Sequence, residues 1–251
     1  ISLGYVSGLT FCDGNCHFNT SGCVNQVRYF YETFDSLVAP PMWQFSAPYE
    51  WGTPSSVGPE AAFSGESCVG TDLSAYAPTS EDYASTWAVT PPIDLSEATS
   101  PVLYFWAWFS FETVSYYYDE WRVEYSTDGS TWTILSSMDP PYNGTNAYEM
   151  YAGADAWNPY VANVETLAGE SAVFFRFSSQ FDHYGDFAGV YIDDVMVVEG
   201  AYVPITFTTA GALGNAVSGY LFSKQLSVWG GSGDFTYSAI GSLPSWLSLD
   251  T

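Results

Sequence analysis

Residues Val102-Leu-Tyr-Phe-Trp-Ala-Trp-Phe109 form an unbroken run of eight apolar side chains, and this run constrains the fold more than any other stretch. A short continuous apolar run between turn-forming neighbours is the pattern of a strand buried on both faces. Shorter strand signals recur along the chain. Trp121-Arg-Val-Glu-Tyr-Ser126 alternates, with Trp121, Val123 and Tyr125 expected to point inward. It leads through Thr127-Asp-Gly-Ser130, where Asp-Gly suits a tight hairpin turn with positive φ, into Thr131-Trp-Thr-Ile-Leu135. Ala172-Val-Phe-Phe-Arg-Phe-Ser178 and Gly189-Val-Tyr-Ile-Asp-Asp-Val-Met-Val-Val198 complete the set. Helical periodicity is almost absent. Many short strands separated by Gly, Pro, Asn, Asp and Ser predict an all-β fold built as a two-sheet sandwich.

Charge narrows the partners. The 251 residues hold 28 Asp and Glu but only four basic side chains, Arg28, Arg122, Arg176 and Lys224, for a formal net charge of −24. Binding to nucleic acid releases counterions from phosphates neutralised by several Lys or Arg, so a nucleic-acid partner is excluded. Docking to an anionic membrane fails for the same reason, and no run of 18 apolar residues predicts a bilayer span. The chain opens at Ile1 with no Met and no signal peptide, which suggests a processed or excerpted piece of a secreted protein.

Four cysteines, Cys12, Cys16, Cys23 and Cys68, point to an extracellular or cell-surface location and to two disulfides whose pairing the spacing leaves open. Cys68 is expected to be oxidised and to tie a disulfide-linked loop region, residues 1–26, to the body of the protein. A second reading is haem c attachment. Cys12-Asp-Gly-Asn-Cys16-His17 is one residue longer than the usual attachment run, and His17 and His183 are the only two histidines. A structural zinc site fits the spacing poorly.

Asp193-Asp194 is the most informative pair. Neighbours on a strand face opposite ways, so one carboxylate should meet apolar neighbours whichever face is the core. A buried carboxylate requires a cation or strong donors. Calcium, bound by six to eight oxygens, is one answer; a salt bridge from Arg176 or Arg122 is the other.

Several segments occur in an order that resembles a known family. They are Trp51-Gly-Thr-Pro, Gly58-Pro-Glu-Ala-Ala, Gly70-Thr-Asp-Leu, Thr90-Pro-Pro-Ile-Asp-Leu-Ser96, Glu112, Tyr118-Asp119, Val123-Glu-Tyr-Ser-Thr-Asp-Gly129, Trp132, Arg176-Phe177 and Gly189-Val-Tyr-Ile-Asp-Asp-Val195. Together they resemble the MAM-like jelly roll that accompanies secreted bacterial metalloproteases of the immune inhibitor A type. The resemblance covers about 30–199, within a sandwich domain expected over 27–199. It implies a non-catalytic extracellular module, often calcium-stabilised, with Glu32 and Asp35 of the first strand joining Asp193 and Asp194 as calcium ligands. The His-Glu-x-x-His motif of the proteases is absent.

The tail, 202–251, resembles the first half of a bacterial Ig-like or cadherin-like repeat through Ala212-Leu-Gly-Asn-Ala-Val-Ser-Gly-Tyr220, Gly230-Gly-Ser-Gly-Asp-Phe-Thr-Tyr-Ser238 and Leu243-Pro-Ser-Trp-Leu-Ser-Leu-Asp250. About fifty residues are half of such a sandwich. The expectation is therefore that strands from outside the chain complete it, through continuation or polymerisation, and that Phe222, Val228, Trp229 and Trp246 form an apolar face.

No Gly-x-Ser-x-Gly elbow, P-loop or dinucleotide fingerprint is present, and the chain reads as non-enzymatic. The expected function is a structural or adhesive module of a larger bacterial surface or secreted protein, filament formation included. Its partners would be other copies or other domains of that protein, with glycans as further candidates. A carbohydrate-binding appendage of a secreted enzyme is the first alternative, resting on aromatics in loop-like stretches: Trp43, Trp51, Tyr83, Tyr116-Tyr-Tyr118 and Trp157. A monohaem extracellular cytochrome is the second.

Overall fold

A computed structural model describes residues 27–200 apart from 37, 56, 78–85, 112–118, 146, 149–155 and 182–185, together with the backbone of six short strands outside that range. The chain divides into two compact units, Ile1–Tyr202 and Val203–Thr251. In the first, β1 (Tyr5–Ser7) pairs with β4 (Val24–Asn25), and β2 (Phe11–Cys12) with β3 (Phe18–Asn19). In the second, β17 (Thr206–Phe207) pairs with β18 (Val228–Trp229). Phe222 and Trp246 lie outside the described residues, as do the side chains of Val228 and Trp229, so the expected apolar face of the tail lies there too.

Two antiparallel sheets form the body. The larger runs β13 (Met138–Asp139), β14 (Asn158–Asn163), β10 (Pro101–Ser110), β16 (Gly189–Glu199), β8 (Cys68–Thr71) and β7 (Tyr49–Gly52), with β5 (Arg28–Glu32) also on β16. The smaller runs β12 (Thr133–Ile134), β11 (Glu120–Ser126), β15 (Phe174–Gln180), β9 (Thr86–Val89) and β6 (Gln44–Phe45). Among the described residues one short 3-10 turn, Glu165–Leu167, is the sole helical element, and none of them forms a helix long and apolar enough to cross a membrane. The all-β sandwich is as the strand patterns predict, and the layout fits a jelly roll.

Leu103, Phe105 and Phe109 from β10 and Val190, Ile192, Val195 and Val197 from β16 meet Trp121 and Val123 of β11 and Phe175 and Phe177 of β15 between the sheets. Phe105 and Phe177 pack edge to face, 4.9 Å between centroids. The Asp-Gly turn is longer than a two-residue hairpin. Residues 127–132 connect β11 to β12, Gly129 takes φ 71°, and Asp128 accepts the N–H groups of Ser130 and Thr131.

β10 is apolar throughout because it is covered on both sides. Its outward residues, Tyr104, Trp106 and Trp108, are almost fully buried beneath a strap formed by residues 53–67. Phe63 of this strap stacks on Trp106 at 3.7 Å, and Trp157 donates its Nε1–H to Ala61 O. Gly58 lies against the ring of buried Tyr191; a Cβ there would sit 2.2 Å from Tyr191 Cζ. The Tyr191 hydroxyl is anchored on Asp72 O, so the ring cannot swing aside freely. Gly58→Ala is expected to destabilise the fold by about 1–3 kcal/mol through overpacking, read as a lower denaturation midpoint. An unchanged midpoint would show that the strap does not seat on Tyr191.

Candidate functional site

The Asp193-Asp194 pair lies where β16 changes neighbours. β8 pairs with Tyr191 and Ile192, and β5 takes over from Val195 to Val198. On the opposite side the register with β10 slips between Trp106↔Asp193 and Tyr104↔Met196. This is a β-bulge, and Asp194 takes the left-handed conformation at φ 48°, which Asp tolerates better than most residues.

The bulge changes how one carboxylate comes to be buried. Val190 and Ile192 point between the sheets before it, and Val195 and Val197 after it. An extra residue shifts the alternation by one, so the core face skips both acids. Asp193 is instead buried completely on the outer side, beneath the strap.

Three strap residues meet the acids. The Ser64 backbone N–H donates to Asp193 Oδ2 at 3.1 Å and the Ser64 hydroxyl to Asp194 Oδ1 at 2.9 Å. The Glu66 N–H donates to Asp35 Oδ1 at 3.0 Å, and Asp194 N–H to Asp193 Oδ1 at 2.8 Å. Gly65, at φ 55°, closes the turn so tightly that a Cβ would fall 1.8 Å from Asp35 Oδ1. Glu32 accepts the Phe34 N–H at 2.9 Å at the end of β5. Ser64, Gly65 and Glu66 were not anticipated from sequence; the Ser-Gly-Glu-Ser stretch marks a turn but not what the turn covers.

Desolvation, then the neighbouring Asp194 charge, pushes the Asp193 carboxyl up to about 8. Desolvation and the Asp35 charge push Asp194 up to about 6. The arginine alternatives are engaged on the other sheet: Arg122 bridges Glu120 at 2.6 Å, and Arg176 Nε bridges Glu124 at 2.6 Å. The carboxylates with the Ser64 hydroxyl make an all-oxygen donor set, which suits a hard cation such as calcium. They are not gathered into a finished cage: among the described residues no group of three or more His, Cys, Asp and Glu is assembled to hold a metal ion.

Cys68 is a free, fully buried thiol, not the oxidised tie expected for it. It sits among Leu73, Trp108, Ala188 and Tyr191, an apolar surround that leaves the thiol protonated, and burial pushes its pKa well up. His17, His183, Cys16 and Cys23 lie outside the described residues, as does the side chain of Cys12, so the haem positions and the remaining disulfide candidates lie there too.

The loop aromatics also divide. Trp43 is a core residue, 8% exposed, stacked between Phe45 and Phe177, which corrects its assignment as a surface ring. Trp51 and Trp157 are half-buried, with Nε1–H groups donated to Phe34 O and Ala61 O. Tyr83 and Tyr116–Tyr118 lie outside the described residues.

A second constellation lies on the outer face of the five-stranded sheet. Glu124 is opposite Arg176, and Arg176 is opposite Val89; Arg122 is opposite Ser178, and Ser178 is opposite Trp87. Arg122 spans Glu120 at 2.6 Å and Glu124 at 3.6 Å, and the Arg176 guanidinium lies 4.2 Å from the centroid of the Trp132 ring.

No family model matches the chain, and no curated protein matches it. Solved structures do. The K3 cleaved adhesin domain of Lys-gingipain from Porphyromonas gingivalis W83 is 15% identical, with 69% of this chain and 100% of that one covered and a TM-score of 0.43. The C-terminal family 22 carbohydrate binding module of Clostridium thermocellum Xyn10B is 12% identical over 70% and 96%, at a TM-score of 0.41. A Stig cyclase from Fischerella sp. TAU is 13% identical over 68% and 89%, at 0.39. At such identities and scores none of them assigns a function to this chain.

Proposed function

We propose that this chain is a non-catalytic extracellular β-sandwich module, structural or adhesive, belonging to a larger surface or secreted protein and stabilised by calcium. The observation that carries it is Asp193, a carboxylate with no exposed surface, beside a second carboxylate and with Asp35 near both. Such a cluster favours a divalent cation, and weak oxygen-only sites of this kind suit the ~10⁻⁴–10⁻³ M calcium range of extracellular modules. Asp193, Asp194, Asp35 and Glu32 would hold the ion, which would neutralise their mutual repulsion. The MAM-like family fits this reading, as does the Ig-like repeat for the tail.

Calcium titration tests it. Free calcium at a hundred times Kd should add about 2.7 kcal/mol to folding stability, and EDTA should remove the gain. A melting temperature indifferent to both would overturn the calcium reading.

Carbohydrate binding is a second reading, favoured by the arginine, glutamate and tryptophan side chains grouped on one sheet face. The cytochrome reading rests on Cys12, Cys16, His17 and His183; a Soret band in the purified protein would establish it, and a colourless protein would dismiss it.

A further inference from the structure

We infer that the outer face of the five-stranded sheet is a binding platform for a neutral polysaccharide, with Trp87, Trp132, Arg122, Arg176 and Glu120 as its contact groups and buried Glu124 holding the two arginines. This rests on the binding-module reading above and adds the surface and the class of ligand.

Basic residues are the scarcest resource in this chain. Two of the four, Arg122 and Arg176, stand on adjacent strands of one sheet and on the same face of it. They lie at the surface, their side chains 24% and 20% exposed. Each is held by glutamate, so donors and acceptors alternate across the strands in fixed geometry: Arg122 with Glu120, Arg176 with Glu124. A guanidinium beside a carboxylate offers a hydroxyl-bearing ligand a donor and an acceptor together, as adjacent sugar hydroxyls require. Arg122 Nε itself is buried, 3.6 Å from Glu124 Oε1, which fixes the plane of that guanidinium.

Aromatic rings flank the polar groups. Trp87 is half-buried on the same face, two strands from Arg122, a spacing of roughly 9–10 Å. Trp132, also half-buried, is held in place by its contact with the Arg176 guanidinium. Rings fixed in this way give an apolar surface at little entropic cost. Gln44 and Gln180 extend the same rows with amide groups, opposite Val89 and Glu120 respectively.

Charge selects the ligand class. The two arginines are neutralised by the two glutamates, and the whole chain carries −24. An anionic polymer approaching this face meets a repulsive long-range field with no net positive patch to offset it. A neutral chain of sugars meets no such barrier.

The test uses the full chain in affinity gel electrophoresis with xylan, mixed-linkage β-glucan, glucomannan, galactomannan and starch, and with polygalacturonate and heparin as anionic probes. At least one neutral polysaccharide should retard the protein. It should also protect Trp87 and Trp132 from N-bromosuccinimide, read by peptide mass spectrometry on the unmutated protein, where folding is not in question. Trp87→Ala and Arg122→Met should each weaken retardation about tenfold or more. Retardation with both rings unprotected and both variants unchanged would overturn the platform while leaving carbohydrate binding intact. If no neutral polysaccharide retards the chain, or only the anionic ones do, the platform and the carbohydrate reading fall together, and the ladder is only a cross-strand brace.

Discussion

In EDTA the protein is expected to lose stability as pH rises from about 4 to about 8, and millimolar calcium should offset part of that loss. Asp193 moves from an ordinary 3.8 to about 8 in the folded protein, chiefly through desolvation and then through Asp194. Asp194 moves to about 6 for a similar reason. A carboxyl whose pKa is raised by folding holds its proton more tightly in the folded state. Its contribution is therefore complete below the unfolded value and declines as pH climbs to the folded one. Each pK unit corresponds to about 1.4 kcal/mol, so the two shifts set an upper bound of roughly 9 kcal/mol on the combined decline. Asp35 and Cys68 are the other titratable groups that interact with Asp193. Asp193→Asn separates this local effect from the general repulsion of a −24 chain. The variant should be more stable than the parent at pH 8 in EDTA, with a flatter pH profile and a reduced response to calcium. Parallel profiles for parent and variant would show that Asp193 is not the group responsible.

Trp121→Ala is expected to cost about 3–5 kcal/mol, the range for removing a fully buried large aromatic. Trp121 has no exposed surface, stacks on Tyr148 at 4.6 Å, and packs edge to face with Phe109 at 5.4 Å and Tyr160 at 5.6 Å. Its cavity would open at the centre of the sandwich, where rings from both sheets meet and cannot all relax inward. Trp121→Phe should cost much less, because a six-membered ring still fills most of the space. The indole N–H is buried without a hydrogen-bond partner, and such a group carries a standing penalty of about 1–3 kcal/mol. Both variants remove it, which returns part of what the lost ring area takes away in each. Chemical denaturation of the two variants checks this, and equal losses would mean that the cavity is not what Trp121→Ala costs.

The strands were legible in the sequence because their cause is local. Val102–Phe109 has no polar position to expose, so it had to be buried on both faces, and β10 is. Trp121 and Val123 alternate with Arg122 and Glu124, and the first pair lines the core while the second faces outward. Asp-Gly at 128–129 marked a turn, and Gly129 does take positive φ there. Such features follow from backbone geometry and from the period of the side chains, which a short window contains.

What the window does not contain is who covers whom. The alternation in Gly189–Glu199 set one aspartate among apolar neighbours without fixing the face; the bulge opposite Phe105 turned both from the core, and Asp193 is buried on the other side. Only the pairing of two strands some ninety residues apart could reveal that slip. Trp43 looked like a loop ring and proved to be core, because Phe177 arrives from β15 to enclose it. Cys68 looked like half of a disulfide and is enclosed by Trp108 and Tyr191. Ser64, Gly65 and Glu66 carried no signal of their own, since their partners, Asp35, Asp193 and Asp194, lie up to 130 residues away. Local chemistry determined which residues could form strands and which acids could not remain bare. The long-range register of the sheets and the path of one strap decided which acids meet and what covers them, because both depend on contacts no short segment can make by itself.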